Sequence, residues 1–202
     1  MSEQDYDRLL NIHTSDEQMG FPKSFHYHRY EPTPYSALEI LFKHYKFTDT
    51  DRIIDFGCGK GRLNFFLHHL FNVNVVGIEM DIEFYQDALR NLERYLVKNP
   101  KGKGKILFHH GMAQEYNIEP MDNRFYFFNP FSIQIFTKVI NHILLSVESH
   151  YRDIELILYY PSKDYTYFLD NQSPFQLKEE VQLGGDYDEN PFEKFLIYRF
   201  EY

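Results

Sequence analysis

Three glycines and two carboxylates, set at regular spacing, are the residues of this chain best suited to bind a polar ligand. Gly57, Gly59 and Gly61 share one short stretch that opens with Asp55, and Glu79 follows Gly59 after 20 residues. Glycine accepts positive φ and lets a ligand approach the backbone without an intervening Cβ. A glycine turn that opens a helix also offers unpaired N–H donors. We therefore expect a cofactor loop in this stretch and, in Glu79, an acceptor for the hydroxyls of a nucleoside ribose.

The spacing of the glycines separates the known nucleotide-binding patterns. A dinucleotide fingerprint reads G-x-G-x-x-G, whereas this loop reads G-x-G-x-G and has Arg62 where the third dinucleotide glycine would stand. The phosphate-binding loop of nucleoside triphosphatases needs a serine or threonine after its lysine, and Lys60 is followed by glycine. NAD, FAD and ATP are therefore disfavoured, and a glycine turn without any ligand is the remaining alternative.

The elements that position this loop are predicted by apolar runs that alternate with segments whose apolar residues recur at helical spacing. Strands are predicted at 53–56, 73–79, 106–109, 125–128 and 154–160. Two further runs, 175–183 and 192–200, flank a glycine-containing turn and predict a terminal hairpin. Thr33 and Pro34 predict the N-cap and first residue of an earlier helix, and Asp81 predicts the N-cap of the helix after the second strand.

These elements predict an α/β fold. We expect a doubly wound, mostly parallel seven-stranded sheet with a terminal antiparallel hairpin and an N-terminal helical cap. A chain of 202 residues is long enough for one substantial core and short for two. We therefore expect one domain over residues 1–202, with 1–50 as an N-terminal cap or lid segment and 51–202 as the core.

The loop resembles motif I of the class I S-adenosylmethionine-dependent methyltransferases, and Glu79 resembles the acidic end of their motif II. The resemblance implies a Rossmann-like fold, S-adenosyl-L-methionine as cofactor and methyl transfer as the activity. It also implies that Gly57 and Gly59 pack against the methionine part of the cofactor, that Asp55 orients this part and that Glu79 holds the ribose. The residues expected to bind the cofactor are Asp55, Gly57, Cys58, Gly59, Gly61, Glu79, Met80, Met112, Ala113, Asn129, Tyr30 and Thr33.

One of these positions differs from the usual pattern. Met112 stands after the third strand, where the family commonly has an acid near the adenine. A thioether can pack on a purine face, so Met112 and Met80 are expected to contact the adenine. Cys58 is expected to be a small side chain within the turn rather than a catalytic thiol, because no motif-level His or Asn accompanies it.

The segment Asn129-Pro130-Phe131 follows the fourth strand and supplies the candidate catalytic residues. It resembles the N-P-P-[FY] motif of amino-methylating members, in which the Asn oxygen and a proline carbonyl hold the target amino group and the aromatic ring stacks on it. The second proline is absent here. Asn129 is also a candidate contact for the methionine amine of the cofactor, and an Asn-Pro pair that only ends a strand is the structural alternative.

The N-terminal segment offers a candidate lid. We expect Tyr30, Thr33 and Tyr35 to close over the methionine end of the cofactor, the alternative being a packed helix start. A general base is needed only if the acceptor binds protonated. The candidates are His26, His28, Tyr30, His109 and Tyr160. No metal is expected, because the two N-terminal histidines have no accompanying Cys or carboxylate signature.

The overall charge constrains the partners. The chain has 21 basic and 30 acidic residues, and its net charge of -9 opposes broad attraction to nucleic acid or to anionic membrane, although the lysines of 98–105 could touch phosphate. One cysteine, no apolar signal and no apolar run of membrane-spanning length favour a cytoplasmic protein. We expect a methyltransferase whose acceptor is unidentified, an amino group of a small molecule or a protein being one candidate. The alternative is a non-catalytic regulatory protein that binds the nucleoside, and the oligomeric state is not predicted.

Overall fold

A seven-stranded sheet forms the centre of the chain, and the computed structural model describes residues 1–15, 30–184 and 190–201. The strands are β1 (Arg52–Phe56), β2 (Asn74–Glu79), β3 (Ile106–His110), β4 (Arg124–Phe127), β5 (Ile154–Tyr159), β6 (Gln176–Gln182) and β7 (Lys194–Phe200). Their order is β3-β2-β1-β4-β5-β7-β6. The first five strands pair in parallel, whereas β7 pairs antiparallel with both β5 and β6. The predicted fold class, including the terminal antiparallel hairpin, is confirmed.

Helices cover both faces of the sheet. They are α1 (Glu3–Leu10), α2 (Tyr35–His44), α3 (Arg62–Phe71), α4 (Ile82–Lys98), α5 (Ile133–Ser149) and α6 (Lys163–Gln172). Alternate side chains of each strand point to opposite faces. Ile53 and Tyr126 accordingly join an apolar cluster with α1, α2 and α3, while Ile54 and Phe125 join a second cluster with α5 and α6. Within the described part of the chain, no helix combines the length and hydrophobicity needed to cross a lipid bilayer.

The sheet order reverses between β1 and β4. From β1 the chain moves outward through β2 and β3, then returns to place β4 on the other side of β1. The carboxyl ends of two neighbouring parallel strands therefore diverge into loops on opposite sides. In open α/β sheets such a switch point is where ligands bind.

The N-terminal helices differ from the prediction in detail. Pro34, not Thr33, is the N-cap of α2, and it makes no side-chain capping bond. Thr33 is buried, and its hydroxyl instead shares a hydrogen bond of 2.7 Å with the hydroxyl of Tyr126. The tertiary contact thus uses the oxygen that was expected to cap the helix.

Two predicted strands end one residue early. Phe128 and Tyr160 were expected to be the last residues of β4 and β5, but the strands end at Phe127 and Tyr159. Asn129 and Tyr160 have φ angles of 39° and 49°, which are incompatible with extended backbone. The chain therefore leaves the sheet abruptly at both strands, beside the switch point.

Candidate active site

The cofactor loop is fastened to the neighbouring strand. The backbone N–H groups of Gly57 and Cys58 both donate to the carbonyl of Ile78, at 2.9 and 3.1 Å. The N–H of Gly61 donates to the carbonyl of Cys58 at 2.9 Å, which closes the turn directly before α3. The loop therefore lies over the carboxyl ends of β1 and β2.

The loop after β1 touches the segment after β4. Gly57 has a φ of 79°, and a Cβ built on it would lie 2.7 Å from the Cβ of Pro130. Any larger residue would be strained in this conformation and would also collide with the proline ring. The structure thus brings together, at the switch point, two motifs that are more than 70 residues apart in the sequence.

A buried carboxyl group lies under this contact. Asp55 is 4% exposed at the end of β1, and no described residue donates a hydrogen bond to it. Burial raises the pKa of Asp55 to about 8, and the negative charge of Glu79 adds to the shift. A buried carboxyl without a donor is costly, so its position favours a site that a cationic ligand completes.

Glu79 is oriented by the backbone around it. It is 7% exposed at the end of β2, its Oε2 accepts from the N–H of Gly59 at 2.9 Å, and its Oε1 accepts from the N–H of Asp81 at 2.8 Å. Burial raises the pKa of Glu79, and these N–H bonds partly offset the rise. Each carboxylate oxygen keeps a further lone pair that a hydroxyl could use. Ribose binding by Glu79 stays a prediction that this geometry permits.

The expected adenine contacts flank Glu79. Met80 is half-buried directly after β2, and Met112 is 44% exposed shortly after β3, the strand that pairs with β2. Ala113 is buried beside Met112. Cys58 is buried against Gly77, and burial raises the pKa of its thiol, so the side chain is a neutral packing group in this structure.

The candidate catalytic segment has an unusual backbone. Asn129 is half-buried with a φ of 39°, and Tyr160 has a φ of 49° at the end of the neighbouring strand. Among the described residues, the other non-glycine residues with positive φ are Asn11 and Asn72, which are helix C-caps. Helix capping therefore does not account for Asn129 and Tyr160, and backbone strain of this kind is concentrated at functional sites.

The placement of Phe131 corrects the motif-based expectation. Its side chain is 0% exposed and belongs to the apolar cluster beneath α5, where it packs against Phe127. Its carbonyl accepts a hydrogen bond from the hydroxyl of Tyr165. A ring that is enclosed in the core has no surface for an acceptor, so Phe131 is a packing residue here.

The three residues of the expected lid have different surroundings. The Tyr30 ring covers Gly59 so closely that a Cβ there would overlap it, and it lies 4.7 Å from the ring of Phe84. Thr33 is buried, as described above. Tyr35 is also buried: its ring stacks on Tyr6 at 4.6 Å, and its hydroxyl donates to Asp7. Tyr35 therefore belongs to the core rather than to a lid, and only Tyr30 lies on the cofactor loop.

The other candidate bases are scattered. His26 and His28 lie outside the described residues. His109 is exposed on β3, the edge strand of the sheet. Tyr160 directly follows β5, the strand that pairs with β4, and its hydroxyl accepts a hydrogen bond of 2.9 Å from the amide of Asn190. Among the described residues, no cluster of His, Cys, Asp and Glu could hold a metal ion.

Sequence reasoning missed how Arg62 is used. The guanidinium of Arg62 is buried and donates to the hydroxyl of Thr14 at 2.8 Å and to the carbonyl of Thr33 at 3.3 Å. It also pairs with Glu3 and lies 4.6 Å from the centre of the Tyr35 ring. The residue that excluded a dinucleotide pattern is thus an anchor for the N-terminal segment.

A second missed anchor is Asn91 on α4. Its Nδ2 donates to the carbonyls of His13 and Lys60, both at 3.0 Å, and its Oδ1 accepts from the N–H of His13 at 2.9 Å. The side chain therefore joins the N-terminal segment to the cofactor loop. No local pattern marks either anchor, because the partners are far away in sequence.

Structures with this architecture are known. A putative RNA methyltransferase from Pyrococcus horikoshii matches with a TM-score of 0.59 and 16% identity, covering 98% of each chain. A SAM-dependent methyltransferase from Thiobacillus denitrificans, in complex with S-adenosyl-L-homocysteine, matches with a TM-score of 0.56 and 16% identity over 90% of this chain and 98% of its own. An RNA methyltransferase from Salinibacter ruber in complex with S-adenosyl-L-homocysteine has a TM-score of 0.55 and 17% identity over 84% and 92% of the two chains.

The chain has the class I methyltransferase fold. In open α/β sheets, ligands bind at the switch point of the strand order, and the Gly57–Pro130 contact lies at this point. By sequence, the chain is 35% identical over 66 residues to a protein-lysine N-methyltransferase of Saccharolobus islandicus. That match spans 32% of this chain and 41% of the relative's length. No protein-family model matches the sequence.

Proposed function

We propose that the protein is an S-adenosylmethionine-dependent methyltransferase that acts on an amino group. The buried Asp55 carboxyl, without a hydrogen-bond donor among the described residues, carries the proposal. It lies beneath a glycine loop of the class I fold, and a ligand with a cationic ammonium and sulfonium would favour its ionised form and supply the missing donor. The S-adenosyl-L-homocysteine bound in two of the similar structures supports this choice of cofactor.

The residues at the edge of the sheet fit the two ends of this cofactor. Asp55 would hold the ammonium group of the methionine part, and Glu79 the ribose hydroxyls. Met80, Met112 and Ala113 would pack around the adenine. When bound, S-adenosylmethionine supplies a methyl group on a positive sulfur: the acceptor lone pair bonds to the methyl carbon, the carbon–sulfur electron pair stays on sulfur, and a proton leaves the acceptor nitrogen.

Asn129 and Pro130 support an amino group as the acceptor. They follow β4 next to the loop, and the positive φ of Asn129 fixes where its side chain and the Pro130 backbone can point. Methyl transfer depends mainly on aligning the nucleophile with the methyl group, so a rigid backbone at this point is useful. The partial similarity to a protein-lysine N-methyltransferase also supports an amino acceptor.

Two measurements test the proposal. Calorimetric titration of the protein with S-adenosylmethionine should give saturable binding, and NAD should give none. The protein should then transfer a labelled methyl group to a fraction of cell extract separated into small molecules, proteins and RNA. The absence of binding at millimolar S-adenosylmethionine would refute the assignment.

The burial of Phe131 favours a second candidate, a regulatory protein that binds the nucleoside without catalysis. In that case the aromatic surface for the acceptor has been lost along with the second proline of the motif. Saturable binding of S-adenosylmethionine with no transfer to any extract fraction would select this alternative. Transfer to any fraction would exclude it.

A further inference from the structure

Aromatic side chains cluster around the carboxyl ends of β4 and β5, where the chain continues into Asn129 and Tyr160. The ring of Phe128 lies 4.5 Å from that of Tyr159, and the ring of Tyr160 lies 5.9 Å from that of Phe192. Tyr159 and Tyr160 are 6.4 Å apart, which joins the two pairs. Phe128, Tyr160 and Phe192 are half-buried, so each residue keeps accessible surface, and we call these three residues the aromatic wall.

Tyr160 is held in its position by several contacts. Its φ of 49° is disfavoured for a bulky residue, so surrounding structure must enforce it. Its N–H donates to the carbonyl of Lys194 at 3.1 Å, and the amide of Asn190 donates to its hydroxyl at 2.9 Å. Residues from Asn190 to the start of β7 therefore hold both the backbone and the hydroxyl of Tyr160.

The surroundings of the wall suit a positive charge. Burial raises the pKa of the Tyr159 hydroxyl, which donates to the Glu193 carboxylate, and the negative charges of Glu193 and Glu31 raise it further. The Glu193 carboxylate therefore lies at Tyr159, whose ring contacts those of Phe128 and Tyr160. The ammonium of Lys163 already lies 5.9 Å from the centre of the Phe192 ring. Ring faces attract ammonium groups at such distances.

We propose that the aromatic wall, with Glu193 bonded to the adjoining Tyr159, binds the primary ammonium group at the end of an alkyl chain, as carried by a lysine side chain, and presents it to Asn129. The inference rests on the proposed function, because the wall is useful there only if the methyl group is delivered beside Asn129. Phe128 immediately precedes Asn129 in the sequence, and Tyr160 follows β5, the strand that pairs with β4. The wall replaces the aromatic surface that the buried Phe131 cannot provide. One proton must leave the ammonium before its nitrogen can attack the methyl carbon.

The test uses the full chain and two probes. Poly-L-lysine serves as the polypeptide acceptor, with poly-L-arginine as a control for charge alone, and n-butylamine serves as the free alkylamine. Transfer of labelled methyl from S-adenosylmethionine is measured against acceptor concentration. Binding of Nα-acetyl-lysine amide is measured separately by saturation-transfer NMR, against the norleucine analogue that has no amino group.

Substitutions at Tyr160 separate the ring from the backbone. Tyr160→Gly removes the ring while accepting positive φ without strain, so relief of the backbone strain partly offsets the lost ring contacts and the variant should still fold. We expect it to raise the KM for poly-L-lysine about 2- to 30-fold, the range of one cation–π contact, and to leave the affinity for S-adenosylmethionine unchanged. Phe192→Leu should act in the same direction. Tyr160→Phe keeps the ring and should stay near the natural KM.

Matched controls and outcomes decide the inference. Tyr151→Ala removes an exposed tyrosine that precedes β5, at the amino ends of the strands. It should leave the KM for poly-L-lysine unchanged. An unchanged acceptor KM in Tyr160→Gly and Phe192→Leu, or equal binding of the norleucine analogue, would overturn the wall while leaving the methyltransferase proposal intact. If S-adenosylmethionine fails to bind, the proposed function falls, and the NMR comparison still decides whether the wall binds an ammonium. Transfer to n-butylamine but not to poly-L-lysine would assign the wall to a free amine.

Discussion

Asp55 couples the candidate site to the stability of the protein. Its pKa of about 8 in the folded chain lies above the ordinary 3.8, so the folded state binds the proton more tightly than the unfolded state. Stability from this group is therefore complete below about pH 4 and is lost as the pH rises towards 8. Near neutral pH the ligand-free protein therefore keeps the Asp55 carboxyl mostly protonated, and a cation bound beside it would favour the ionised form.

Replacing Asp55 by Asn should separate binding from stability. Asp55→Asn cannot ionise, so at pH 8 the ligand-free variant should unfold at higher denaturant concentration than the natural protein, and the difference should shrink towards pH 5. Its affinity for S-adenosylmethionine should fall about 10- to 100-fold, the range expected for a hydrogen bond to a charged group. Urea titrations at both pH values and calorimetry measure the two effects. Asp49→Asn, at an exposed carboxyl, is the control, and the absence of any stability gain at pH 8 would contradict the role given to Asp55.

The sequence motifs predicted the positions of some site residues correctly and of others wrongly, and the difference has a physical reason. Asp55, Gly57 and Glu79 lie where expected, because strand ends and a short glycine turn determine their positions locally. Phe131 does not, because the left-handed backbone at Asn129 redirects the chain and its ring enters the apolar cluster. No pattern in the sequence around Asn129 predicts its φ of 39°.

At the scale of elements, the N-terminal segment is joined to the cofactor loop by buried polar contacts. Arg62 reaches Thr14 and Thr33, while Asn91 joins His13 to Lys60. These contacts place Tyr30 on the loop, next to the candidate ligand site. A cap was predicted from the sequence, but its anchors were not.

Asn91→Ala should loosen the cap without changing any residue of the candidate site. The substitution leaves the buried carbonyl of Lys60 without its partner, which costs about 1–3 kcal/mol, and it also removes two part-buried bonds to the backbone of His13. Amide hydrogen exchange should become faster in residues 11–15 and 57–61, and S-adenosylmethionine should bind more weakly. Asn171→Ala, on the exposed face of α6, is the matched control. Unchanged exchange in both segments would show that the cap does not depend on Asn91.

Helices whose sequence has a clear N-cap or apolar period were predicted, and helices without these patterns were not. The helix that became α4 was predicted with Asp81 as its N-cap, and the Asp81 side chain accepts from the N–H of Glu83. The short helices α1 and α6 were missed. Each buries few apolar residues, Tyr6 and Leu10 among those of α1, so the helical period is hard to recognise.

At the scale of the whole molecule, the strand–helix alternation determines most of the fold. A parallel return needs a crossover, and the crossovers at this spacing leave the first two strands and β4 around a switch point. The position of β7 between β5 and β6 was not predicted, because strand order in the hairpin depends on pairing between distant residues. Since the site uses the ends of strands across this sheet, ligand binding should stabilise the fold as a unit.

S-adenosyl-L-homocysteine should therefore raise the melting temperature of the entire chain. At 100 times its Kd, a ligand that binds only the folded state adds about 2.7 kcal/mol of stability. For a chain of 202 residues, each kcal/mol shifts Tm by about 2–4 °C, so a shift of about 5–11 °C is expected in differential scanning calorimetry. NAD at the same concentration should give no shift, because Arg62 anchors the N-terminal segment at the position where a dinucleotide loop needs glycine. A shift with NAD, or none with S-adenosyl-L-homocysteine at millimolar concentration, would show that the glycine loop serves a different ligand or only the fold.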